Sequence, residues 1–107
     1  MVYKDWENKL QAIESYLQSL FRERIIEKVE DPLRSQLFRK YFFRIKDHGG
    51  EIEHRFSVDY YFLDHNTSDA IIEYFEKQHL RKLLEEAGRN EVMMTTDGIR
   101  VVPRKKG

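Results

Sequence analysis

Lys40-Tyr41-Phe42-Phe43-Arg44-Ile45-Lys46, then Asp47-His48-Gly49-Gly50, then Glu51-Ile52-Glu53-His54-Arg55-Phe56-Ser57-Val58-Asp59-Tyr60-Tyr61-Phe62-Leu63 make up the stretch that decides the fold. Its period is two. Tyr41, Phe43 and Ile45 share one side, with Lys40, Phe42, Arg44 and Lys46 on the other. Beyond the turn, Ile52, His54, Phe56, Val58, Tyr60 and Phe62 share a face, opposite Glu51, Glu53, Arg55, Ser57 and Asp59. Alternation of this kind predicts a long β-hairpin with one buried face. A turn centred on His48-Gly49 sets Lys46 opposite Glu51, Arg44 opposite Glu53, Ile45 against Ile52 and Tyr41 against Phe56. The alternative, centred on Gly49-Gly50, opposes Arg44 and Arg55. Cross-strand charge pairing favours the first register.

Downstream, Asp64 to Asp69 is polar and rich in cap residues, so it predicts a loop. A helix follows, with Ile72, Phe75, His79, Leu80, Leu83, Leu84 and Ala87 as its stripe and Gly88 as its stop. Tyr74 falls off that stripe. A second hairpin runs from Val92 through the turn dipeptide Asp97-Gly98 to Val102, where Pro103 ends it.

Upstream, Trp6, Leu10, Ile13, Leu17 and Leu20 recur at steps of four and three, one face of a helix with Asp5 as its cap. The stripe then loses phase: Arg24 stands where an apolar residue is expected, and Ile25, Ile26 and Val29 point elsewhere. The helix is expected to kink or repack there and to end at Asp31-Pro32. That pair can start a short second helix that buries Leu33 and Leu37.

The expected class is therefore α+β, in the order α-(α)-ββ-α-ββ, an antiparallel four-stranded sheet with two long helices packed on one face. Residues 1–103 make one domain, and the basic run 104–107 is expected to be a flexible tail. At 107 residues, with 40% hydrophobic and 13% aromatic, the chain can bury a core. It has no cysteine, which excludes disulfides, thiolate metal sites and cysteine nucleophiles. No stretch reaches the roughly 20 apolar residues of a membrane span, and residues 1–6 lack a signal-peptide core. The expected location is cytoplasmic.

The candidate chemistry is sparse. His48, His54 and His65 sit among carboxylates without the one-turn spacing that brings two rings to one metal ion. His54 reads as a hydrogen-bonded core histidine, and His79 as a core-edge one. No glycine-flanked serine elbow and no phosphate-cradling loop is present. No catalytic residue, metal or cofactor is therefore assigned; a small hydrolase or metal-binding protein is the third reading.

Two binding readings stand ahead of it. Nineteen Lys and Arg balance nineteen Asp and Glu, yet residues 31–50 carry five basic side chains against Asp31 and Asp47. Arg39, Lys40, Arg44 and Lys46 on phosphates with Phe42 stacking on a base would make a nucleic-acid surface. Phe42 against Arg55 as a cation–π pair is the competing use of that ring. The preferred reading is a non-enzymatic interaction module, a homodimer or a binder of a protein partner. Its contact surface is Phe42, Arg44, Arg55, Tyr61 and Leu63 on the open hairpin face, with Met93 and Val102 beside them. Self-association through a sheet edge or that open face is the simplest arrangement.

Overall fold

The computed structural model of the protein describes residues 2–29 and 40–103, with side chains from Glu7 onward. The elements are α1 (Val2–Leu20), β1 (Ile25–Val29), β2 (Lys40–Lys46), β3 (Ile52–Asp59), α2 (Tyr60–His65), α3 (Ser68–Lys77), α4 (Leu80–Ala87), β4 (Glu91–Thr95) and β5 (Gly98–Val102). The class is α+β as expected, but the sheet has five strands, in the order β1-β2-β3-β4-β5. Asp31-Pro32, the short helix proposed after it and the 104–107 tail lie outside the described residues.

The extra strand is β1. Ile25, Ile26 and Val29 are not the end of the first helix. That helix stops at Leu20, where Arg24 N–H closes a turn on Phe21 O at 3.1 Å. The Gln18 carboxamide donates to Phe21 O and Arg24 O at 3.1 and 2.9 Å, and Arg81 donates to Leu20 O at 3.0 Å. Side chains thus satisfy the backbone that a continuing helix would have used. The phase slip after Phe21 was a change of period, from helix to strand.

β1, β2 and β3 form an antiparallel meander. β3 and β4 pair in parallel, Phe56 against Val92 and Val58 against Met94, which corrects the all-antiparallel sheet. The reason is the connection. Helices α2, α3 and α4 lie between the two strands, and such a crossover returns the chain in its original direction. The second hairpin forms, but its two loop residues are Thr96 and Asp97 rather than the expected Asp97-Gly98, so Thr95 lies opposite Gly98, the first residue of β5.

The single long second helix is also corrected. Strand β3 ends at Asp59, whose carboxylate accepts from Tyr61 N–H and starts α2. Three donors meet the carbonyl end of α2: His65 Nδ1 at Tyr61 O (2.7 Å), Asn66 at Phe62 O (2.8 Å) and the buried Lys9 ammonium at Leu63 O (2.9 Å). A cation there also suits the helix dipole. Thr67 caps α3, and a break at Gln78-His79 separates α3 from α4. His79 takes a left-handed φ of 53° and is exposed, so it is not part of the stripe. Gly88 ends α4, as expected.

From Lys40 to Lys46 and from His54 to Asp59 the two faces of the central hairpin are as the period predicted; the bulge at Glu53 sets Ile52, expected on the buried face, opposite Lys46 of the outer face. Phe43, Ile45, Phe56 and Val58 are buried, joined by Val92 and Met94 of β4. Leu10, Ile13, Leu17 and Phe21 of α1, Phe62 and Leu63 of α2, Ile71 and Phe75 of α3, and Leu80 and Leu84 of α4 complete one core on this face. Phe56 sits at its centre, edge-on to Phe75 (5.4 Å between ring centres) and tilted against Phe43 (6.2 Å). Replacing Phe56 by Ala should cost about 3–5 kcal/mol of unfolding free energy, read from the denaturant midpoint. A loss below about 1 kcal/mol would mean the seam is not closely packed.

Candidate interaction surface

The hairpin register differs from the expected one. Arg44 lies opposite Arg55, and Ile45 opposite His54. Residue Glu53 is the extra residue of a bulge, because Lys46 pairs with Ile52. The turn accounts for part of this. Gly50 N–H donates to Asp47 O at 3.0 Å, Glu51 N–H meets the Asp47 carboxylate at 2.9 Å, and Gly50 has a φ of +85° that a glycine takes without strain.

The two arginines tolerate each other because their partners come from outside the hairpin. Across the outer face one row runs Glu27, Arg44, Arg55, Glu91, Val102. A carboxylate therefore stands on each side of the arginine pair. Glu27 binds Arg44 at 3.2 Å and Lys46 at 2.9 Å, and Arg55 donates to Arg89 O at 3.0 Å. The expected partners are used elsewhere: Glu53 pairs with Arg24, and Glu51 with Arg89. The Lys46 hydrogen bond, with the charges of Lys46 and Arg44 behind it, holds the Glu27 carboxyl below the usual carboxylate range.

The neighbouring row runs Val29, Phe42, Ser57, Met93, Arg100. Its centre is closed to solvent, with Phe42 only 7% and Ser57 0% exposed. Glu91 Oε2 accepts from Ser57 at 2.8 Å and from Lys40 at 3.1 Å, and the Lys40 ammonium lies 5.5 Å from the Phe42 ring centre. Lys40 is thus a cation placed over the Phe42 ring.

The proposed contact residues therefore separate. Leu63 is removed from the surface: it is 0% exposed and belongs to the core, because the chain turns into α2 before reaching it. Phe42 stays on the outer face but is buried. Met93 and Val102 remain there half-buried, as do Arg44 and Arg55. Tyr61 is exposed on α2, edge-on to Tyr60 and off the sheet. Of the nucleic-acid set, Lys40, Arg44 and Lys46 all bind carboxylates, and Arg39 lies outside the described residues.

What the sequence reading missed is at the sheet's two edges. Among the described residues, the exposed large apolar side chains are Ile25 (46%), Tyr61 (43%) and Val101 (52%). Ile25 is on edge strand β1 and Val101 on edge strand β5. Their signal was available as β-branched runs, but only the strand order makes them edges.

A cleft of about 540 Å³ opens between the α1–β1 turn, β3 and α4. Its wall holds Arg22, Arg24 and Arg81 against Glu23, Glu53 and Glu85. These groups serve the fold. Arg24 meets Glu53, and Arg81 covers the Phe21 ring at 5.4 Å while capping α1. The His54 ring lies tilted against Phe21 with 5.4 Å between ring centres, and its Nδ1 lies 3.1 Å from Gly88 O, so Nδ1 carries the proton. This is the hydrogen-bonded inner-face histidine that the sequence suggested. No group of three or more potential metal ligands occurs among the described residues, and no described helix is long and apolar enough to cross a membrane. Comparison of the chain with protein-family models, curated proteins and solved structures found no match.

Glu27 supplies a pH test. Its carboxyl is lowered in the folded state, so its contribution is present above the ordinary glutamate range and is lost as pH falls through the lowered value. At pH 7, Glu27→Gln should lose up to about 1 kcal/mol, since the group is largely exposed. That gap should shrink as pH falls below about 4. An unchanged gap from pH 7 to 3 would show that the charge contributes nothing.

Proposed function

We propose that this chain is a small non-enzymatic interaction module that works as a homodimer, with the edges of its sheet as the contact surface. The observation that carries the reading is the placement of Ile25 and Val101. Both are β-branched side chains exposed on the strands that bound the sheet. An edge strand offers unpaired backbone donors and acceptors, and apolar side chains beside them add area to any strand that docks. The open face contributes the rim: Arg44, Arg55, Met93 and Val102 lie next to the edges and give orientation and polarity. A protein partner that adds a strand would use the same chemistry. Cytoplasmic residence belongs to this reading, and the cysteine-free sequence is compatible with it.

The nucleic-acid reading has less behind it. Its three described cations each bind a carboxylate, and the ring meant to stack is buried. Net charge is zero, so long-range attraction to phosphate is weak.

Sedimentation equilibrium over a hundredfold range of concentration (about 1–100 μM, spanning typical weak dimers) separates the two. It is followed by titration with single- and double-stranded nucleic acid at low and high salt. The expected result is a reversible dimer that does not bind nucleic acid. A monomer whose nucleic-acid affinity falls steeply with salt would reverse the assignment.

A further inference from the structure

We propose that β5 pairs antiparallel with β5 of a second copy of this chain, about a two-fold axis at Val101, so that two five-stranded sheets become one. This rests on the interaction-module reading and names its partner and register.

Backbone parity comes first. The turn Thr95-Thr96-Asp97-Gly98 has two loop residues, so Thr95 and Gly98 form the hydrogen-bonded closing pair. Hydrogen-bonded pairs alternate along an antiparallel ladder, which makes Met93–Arg100 and Glu91–Val102 the next two. Gly98, Arg100 and Val102 therefore turn their backbone toward β4. Ile99 and Val101 turn theirs outward, and among the described residues no strand receives them. Val101 also has the most exposed large apolar side chain of those residues.

Three two-fold registers give both Ile99 and Val101 an outward partner within residues 97–103, with axes at Ile99, Arg100 or Val101. An axis at Ile99 sets Val101 against Asp97, whose N–H already donates to Thr95 Oγ1 at 3.1 Å. An axis at Arg100 joins Ile99 to Val101 twice, but places Arg100 directly opposite Arg100 of the second copy. Like charges so placed are destabilising. An axis at Val101 gives the same number of hydrogen bonds: two between the Val101 residues, and one from each Ile99 N–H to Pro103 O of the other copy. Here Arg100 faces Val102, and the two Val101 side chains cover each other. Pro103 accepts there but has no N–H to donate, so it ends the ladder.

Charge selects the direction. Parallel pairing about a two-fold would set Arg100 beside Arg100 of the second copy. Antiparallel pairing about Val101 sets Arg100 beside Val102 instead.

The absence of cysteine makes the test direct, because a single introduced thiol is the only one. Val101→Cys, Ile25→Cys and Tyr61→Cys variants are oxidised mildly at equal concentration and run with and without reductant. Opposed residues in an antiparallel pair lie within disulfide reach. Val101→Cys should give the covalent dimer about tenfold faster than either control, since only it faces itself across the axis. Val101→Pro removes an N–H that points away from β4 and should raise the dimer dissociation constant about tenfold or more. Preferential cross-linking at Ile25→Cys or Tyr61→Cys overturns the β5 pairing but leaves self-association standing. So does a Val101→Pro protein that folds and dimerises as the unmodified chain does. If Val101→Pro does not fold, the cross-linking comparison decides alone. An unmodified chain that stays monomeric, with no cross-link at Val101→Cys, overturns both readings.

Discussion

Burial of one face of the β2–β3 hairpin is the constraint on which the rest of the structure depends. Phe43, Ile45, Phe56 and Val58 must leave water together, because alternation puts them on one side of a two-stranded ribbon. A hairpin alone is marginal in water. The roof is supplied by α1, by the three helices that follow β3, and by Phe75, which meets Phe56 edge-on. Those helices then oblige β4 to return parallel to β3, and β5 follows as a hairpin partner. The open edge at β5 is thus a consequence of the same burial.

The outer face is arranged by charge rather than by apolar contact. A row that opposes two arginines would be unfavourable in an isolated hairpin. It is accommodated here because Glu27 arrives on β1 to bind Arg44 and the Arg89 carbonyl accepts from Arg55. Lys40, Ser57 and Glu91 form a second polar cluster beside the buried Phe42 ring. Lys40, Arg44 and Lys46 on this face are therefore engaged with the protein's own carboxylates, and it is the rim of the sheet that presents exposed apolar side chains.

How far the sequence could be read follows from which forces are local. Period-two alternation from Lys40 to Asp59 showed both strands and the buried side, and Asp97-Gly98 and Gly88 marked a turn and a helix end. Register was not readable from the hairpin, because the groups that bind Arg44 and Arg55 lie outside it: Glu27 on β1 and the Arg89 carbonyl after α4. Strand β1 was hidden because no proline or glycine separates it from α1: Arg22, Glu23 and Arg24 are all acceptable in a helix, and the break is made by Gln18 and Arg81 side chains. Tyr61 and Leu63 were assigned to the outer face of a strand that stops at Asp59, whose carboxylate caps α2 instead. Of the candidate contact residues, Phe42, Arg44, Arg55, Met93 and Val102 stayed on that face, Phe42 buried in it. The edge position of Val101 needed the order of all five strands.

Amide hydrogen exchange at β5, followed as a function of protein concentration, tests the central claim most directly. The account predicts that Ile99 and Val101 amides are protected in concentrated solution and exchange freely on dilution, while Arg100 and Val102, bonded to β4, stay protected throughout. Rapid exchange of Ile99 and Val101 at every concentration would contradict it.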